Sequence, residues 1–169
     1  MTISMYQASV PVFVKGLTNL KSILEKAAAH AQAQKIDDSV FVTARLFPNM
    51  LPLSKQVQIA SDFARGTTAR LAGSEPPAWE DSEKTLADLV ARVQKTIDFI
   101  QPFTAAQIDG SEGRAITRPF RGQSKTFTGI NYLLLYAFPN FYFHTVTTYD
   151  ILRHNGLEVG KADFVGAID

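Results

Sequence analysis

The chain has no cysteine in its 169 residues, which excludes disulfide staples, zinc ribbons and thiolate nucleophiles from the start. Net charge is almost absent as well. Seventeen Lys+Arg against sixteen Asp+Glu leave +1, so no overall field gathers nucleic acid or an anionic membrane surface. Histidine is scarce, with three residues and no HExxH, no ExxH and no close pair. The longest greasy stretch, Ile130 to Phe143, is short for a bilayer and is interrupted by Asn131, Pro139 and Asn140. Met1 to Tyr6 shows no basic segment leading into an apolar one. These absences predict a cytoplasmic protein with no nucleic-acid or membrane partner. What is present is 46% apolar and 11% aromatic residues, enough to bury a core in one domain spanning 1–169.

The spacing of apolar residues predicts an all-α fold of four helices, about 3–33, 52–72, 82–101 and 128–155. In the first, apolar positions from Ile3 to Ala31 recur in alternating steps of three and four. Pro11 falls inside it and predicts a kink, or a helix that starts near Pro11 behind a short turn. Pro48 and Pro52 break the first connection. The second helix opens at Pro52 and stops before Gly73. Leu53, Val57, Ala60, Ala64, Thr67 and Leu71 form its inner stripe, with Gln56 as the odd polar residue at its margin. Ser54, Gln58, Asp62 and Arg65 point the other way. Asp81 or Ser82 is the expected N-cap of the third helix.

Between 103 and 127 the helical period disappears. Gly110, Gly113, Gly122, Pro119 and a partial alternation around Ile116, Phe120 and Phe127 predict a loop with a short β-hairpin turning near Arg121-Gly122-Gln123. About 25 residues is long for a bundle connection, and long connections are crossovers or functional. The fourth helix ends at Asn155-Gly156, bends at Pro139, and is followed by a tail, 157–169, docked through Val159, Phe164 and Val165.

The fourth helix carries the most informative stripe, on which His144 shares the inner face with Ile130, Ala137, Phe141, Thr148 and Ile151, and Asn140 lies at the margin. An inward histidine is either a ligand or acid/base group, or a core residue hydrogen-bonded to a neighbour. His30 and His154 lie at helix ends and read as surface or end-capping cations. Arg114, Arg118, Arg121 and Lys125, interleaved with Phe120 and Phe127, form a basic arm that reads as a solvated hairpin or a phosphate contact. Ser61, Ser111 and Ser124 have no histidine and acid at motif spacing, so nothing local supports a serine hydrolase. Leu135, Phe138, Tyr142 and Tyr149 make the reverse of the fourth helix apolar too, which predicts a homodimer.

Several stretches of the chain resemble a known superfamily. The run His144-Thr145-Val146-Thr147-Thr148-Tyr149-Asp150-Ile151-Leu152-Arg153-His154-Asn155-Gly156 is similar to the last helix of the DinB/YfiT-like metalloenzymes. The segments Arg45-Leu46-Phe47-Pro48-Asn49-Met50, Gln56 to Asp62, and Pro139 to His144 continuing through Lys161-Ala162-Asp163-Phe164 resemble an uncharacterised branch of it, a domain of unknown function. The resemblance implies a DinB-like four-helix bundle with a long connection before the last helix. In metal-binding relatives a histidine of the second helix and a His-x-x-x-His pair of the fourth hold a divalent ion, Zn, Ni or Fe. Here His144 matches the second of that pair, Asn140 stands at the first, and the second helix offers Gln56. The resemblance therefore implies a degenerate site with no metal expected, where His144, Asn140 and Gln56 are candidates to bind a small polar molecule or to form a buried polar network. Its rivals are a surviving metal-dependent transferase or hydrolase, and an interaction or structural dimer without a small-molecule site.

Overall fold

The computed structural model describes residues 2–120 and 122–167. Helix α1 (Met5–Gln34) starts behind Ser4, whose hydroxyl accepts from the Gln7 amide while the Gln7 side chain accepts from the Ser4 amide. Pro11 stands inside α1 without ending it, because its missing N–H deprives only the carbonyl of Gln7. Helix α2 (Asp38–Val42) is the short helical piece of the first connection, capped by Asp37. Helix α3 (Leu53–Leu71) follows, then α4 (Leu86–Ile100). The N-cap of α4 is Thr85 in a capping box with Asp88, not Asp81 or Ser82. The reason is that the Asp81 carboxylate is held elsewhere, by Lys55 and Arg92.

The insert contains helix α5 (Ala105–Ile108) and an antiparallel hairpin of β1 (Ala115–Phe120) and β2 (Gln123–Thr128), with Ile116 opposite Phe127 and Thr117 opposite Thr126. Ile116 is buried and Phe127 half-buried on one face, while Thr117 and Thr126 are exposed on the other, the alternation expected of a two-sided strand pair. The turn includes Gly122 at φ 79°. Arg121 and the side chain of Phe120, both assigned to the basic arm, lie outside the described residues. At the neck of the hairpin a Cβ on Gly129 would stand 2.0 Å from the Ser111 carbonyl oxygen, so only glycine lets the two backbones approach so closely. The Ile130 amide donates to the Glu112 carbonyl beside it.

The last long helix is continuous but not uniform: α6 (Gly129–Asn131), a π-helical stretch (Tyr132–Ala137) and α7 (Phe138–His154). The Phe138 amide donates to the Leu133 carbonyl, five residues back. Pro139 has no N–H for the carbonyl of Leu135, so the widened turn accommodates the proline that the sequence marks as a bend. In the tail, helix α8 (Lys161–Val165) lies on α1, with Asn19 donating to the carbonyls of Phe164 and Val165 and Lys26 paired with Asp163. Leu157 and Val159 are buried. Val165 is exposed, so Leu157 takes the anchoring role expected of it.

Helix α1 packs along α4, and α3 packs along both α4 and α7, giving a four-helix bundle with a small hairpin appended. Its centre is filled by Phe13, Leu17, Leu24, Leu53, Val57, Leu89, Ile100 and Phe141. Phe141 meets Phe13 edge-on at 5.0 Å between ring centres. No described helix is long and apolar enough to cross a membrane. On the reverse of α7, Phe138 packs on Phe13 and Tyr149 on Phe164, so these two are covered within the chain. Leu135 and Tyr142 are exposed.

Candidate functional site

Gln56 enters the core in the first turn of α3, where the helix has no side-chain cap. Its amide nitrogen donates to the Leu51 carbonyl at 2.9 Å, which turns its Oε1 toward α7. There it lies 2.7 Å from Nδ1 of His144. Because an amide oxygen only accepts, Nδ1 carries the proton and donates, and the lone pair of the neutral imidazole sits on Nε2. His144 is 9% exposed. Phe63 lies nearly parallel to its ring, 6.4 Å away, and Phe143 meets it edge-on at 5.2 Å. Desolvation in this aromatic setting pushes its pKa down from 6.5 to about 4. At neutral pH the ring is uncharged.

Two of the three candidates are thus brought together, and the third is not. Asn140 is half-buried one turn before His144, but its amide donates back to the Tyr136 carbonyl at 2.7 Å, within its own helix. His30 is half-buried near the end of α1, its ring nearly perpendicular to that of Phe41. His154 is the exposed last residue of α7. Among the described residues no three His, Cys, Asp or Glu side chains are grouped to hold a metal ion. The donors near His144 are amide oxygens, and that of Gln56 already accepts from the imidazole. Hard, neutral donors of this kind do not fit a borderline-soft divalent ion.

A second polar centre escapes the helical-wheel reading. Gln58 and Arg65, assigned to the solvent face of α3, are buried at 2% and 7% exposure, because the connection from α3 to α4 folds over that face. Arg92 of α4 is its hub. It donates to Glu83 at 3.0 Å, to Asp62 at 2.9 Å and to the Glu80 carbonyl at 3.0 Å, and lies 3.2 Å from Asp81. Arg65 shares Asp62 at 2.7 Å, and Gln58 donates to Glu83 at 2.7 Å. Trp79 roofs the cluster, with the Arg65 guanidinium 4.3 Å from its ring and Lys95 Nζ at 4.4 Å. Burial works against the Arg92 charge, but the carboxylates outweigh it and raise its pKa. The legible signal was the lone tryptophan in a connection rich in acids, Glu80, Asp81 and Glu83.

A family model described as "Domain of unknown function (DUF1993)" matches residues 5–165. The chain is similar to a crystal structure of a DinB family member protein from Shewanella denitrificans, with 41% sequence identity and a TM-score of 0.90, over 96% of this chain and 92% of that one. No curated protein matches.

Proposed function

The chain belongs to the DUF1993 family, and from that premise we propose that it is a DinB-like bundle whose metal site has degenerated, His144 and Gln56 forming a buried polar pair that offers one acceptor, Nε2, to a small polar molecule. The observation that carries this reading is the double use of Gln56, which ties the 45–52 loop to α3 and fixes the imidazole tautomer at once. A neutral Nε2 accepts from a hydroxyl or amide but leaves an ion short of the three protein ligands a mononuclear site needs. The rival reading, a metal-dependent transferase or hydrolase, draws on the same bond, since a ligating histidine ordinarily donates its other N–H to a neighbour.

Elemental analysis of protein grown with added zinc, nickel and iron separates the two. We expect far less than one ion per chain and an unchanged melting temperature on chelation. A structural metal contributes on the order of 10 kcal/mol, so one equivalent per chain with a large drop on chelation would overturn the proposal.

We further propose a homodimer, supported by the exposed stripe Leu135, Tyr142, Phe143 and Val146, which are 71%, 40%, 54% and 40% exposed. Light scattering at micromolar concentration is expected to give twice the 18.6 kDa of one chain. A single-chain mass excludes it.

A further inference from the structure

Beside Phe63 the surface opens into a cleft of about 200 Å³ whose walls include Asp62, Phe63, Arg70, Arg118, Tyr132 and Tyr136. A second cleft of about 420 Å³ shares Arg70 and Arg118 and adds Arg114. The two therefore have two arginines in common. Three different elements supply the arginines: α3, the neck of the hairpin and β1. Arg118 follows Ile116 by two residues and so shares its inward face.

Among the described residues none of these three arginines has a carboxylate within ion-pair distance. Asp62, which borders the smaller cleft, is already held by Arg65 and Arg92, and Glu75 at the larger one offsets a single charge. Two of the guanidinium heads lie over glycines. A Cβ on Gly66 would stand 2.5 Å from Nη1 of Arg70, and one on Gly73 would stand 1.9 Å from Nη1 of Arg114. Arg70 is also steered by a hydrogen bond from Nη1 to the Tyr132 hydroxyl at 3.3 Å.

The opposite wall is aromatic. Tyr132 and Tyr136 leave the π-helical stretch stacked at 5.7 Å and 29°, with Phe63 against Tyr136 at 5.6 Å. Such stretches are rare and concentrate at functional sites. Tyr132 is buried behind Tyr136, which leaves the half-buried Phe63 and Tyr136 to meet a ligand. Guanidinium forks bind carboxylate and phosphate oxygens two at a time, and aromatic side chains pack against a flat ring.

We propose that this cleft binds a small organic anion, a carboxylate or phosphate monoester attached to a planar ring, with Arg70 and Arg118 on the anion and the half-buried Phe63 and Tyr136 on the ring. Neither His144 nor Gln56 lines it, so it does not depend on whether His144 serves a metal. The concave, small volume suits a molecule rather than a nucleic-acid strand.

The test is isothermal titration of the whole protein with phenyl phosphate, benzoate and inorganic phosphate at low salt. Binding of phenyl phosphate or benzoate is expected, about tenfold or more tighter than inorganic phosphate and weakening as salt rises. Phenyl phosphate alone would assign a phosphate ester, benzoate alone a carboxylate. Arg118→Ala, on the exposed hairpin, and Arg70→Gln are each expected to weaken binding about tenfold or more. Lys161→Gln, on α8, is expected to leave it unchanged. No binding of either aromatic anion at millimolar concentration overturns the proposal, as does binding that both arginine variants retain. Inorganic phosphate binding as tightly as phenyl phosphate removes the ring from it.

Discussion

Arg92→Ala is expected to cost about 3 kcal/mol of stability, the lower end of the range for breaking a buried ion pair. The side chain is 2% exposed and its partner Glu83 11%, so removing the cation strands a carboxylate in a poorly solvated place. Asp62 and Asp81 are 43% and 37% exposed, and water takes over part of their solvation, which sets the lower end. The loss also unseats the connection that carries Trp79, because Arg92 holds it through the Glu80 carbonyl. Urea denaturation should show the midpoint falling sharply. Lys26→Ala, which removes an exposed pair with Asp163 where α8 lies on α1, should cost far less, as exposed pairs do. Equal losses at the two sites would mean that the Arg92 cluster is as well solvated as the surface.

The second large effect is on the pH dependence of folding. His144 titrates at about 4 in the folded protein and near 6.5 when unfolded. Between those values the unfolded chain binds a proton that the folded one refuses, so stability rises with pH through that window. The contribution is complete above pH 6.5 and is lost as pH falls toward 4. The span corresponds to about 3 kcal/mol at 1.36 kcal/mol per pKa unit. Asp37, Asp81, Asp88 and Asp163 have lowered pKa values and act in a separate window, below the usual carboxylate value. His144→Ala should flatten the slope between pH 6.5 and 4 and, at pH 7, cost about 1–3 kcal/mol by leaving Gln56 Oε1 unsatisfied. A wild-type slope that survives the substitution would show that the imidazole is not desolvated.

The four helices and the inward turn of Gln56 and His144 were legible because both are matters of phase along a helix, and phase is written in residue spacing. What spacing does not encode is how long connections lie. The face of α3 that bears Gln58 and Arg65 looks solvated on a wheel, and becomes interior only when the connection after Leu71 folds over it. Asn140 was placed correctly at the edge of the stripe, but its choice of the Tyr136 carbonyl over His144 is a local competition that residue type alone leaves open. Arg70 presents the same difficulty. Residue spacing does not show that its guanidinium lies over Gly66, one turn earlier, and reaches the Tyr132 hydroxyl. The π-helical stretch has no signature in apolar periodicity, although Pro139 marked the place where regular winding had to give way.

The neck of the hairpin divides the insert into parts with different freedom to change length. At Gly122 the would-be Cβ meets open space, so residues added there leave the bundle alone. At Gly129 the backbone touches Ser111 and passes directly into the helix that ends at His154. One residue added just after that contact would turn everything beyond it by about 100°. The imidazole would swing away from Gln56, and Tyr132 and Tyr136 away from Arg70. Length variation among relatives is therefore expected at the tip of the hairpin and absent from its neck, and a peptide tag grafted at Gly122 should be silent.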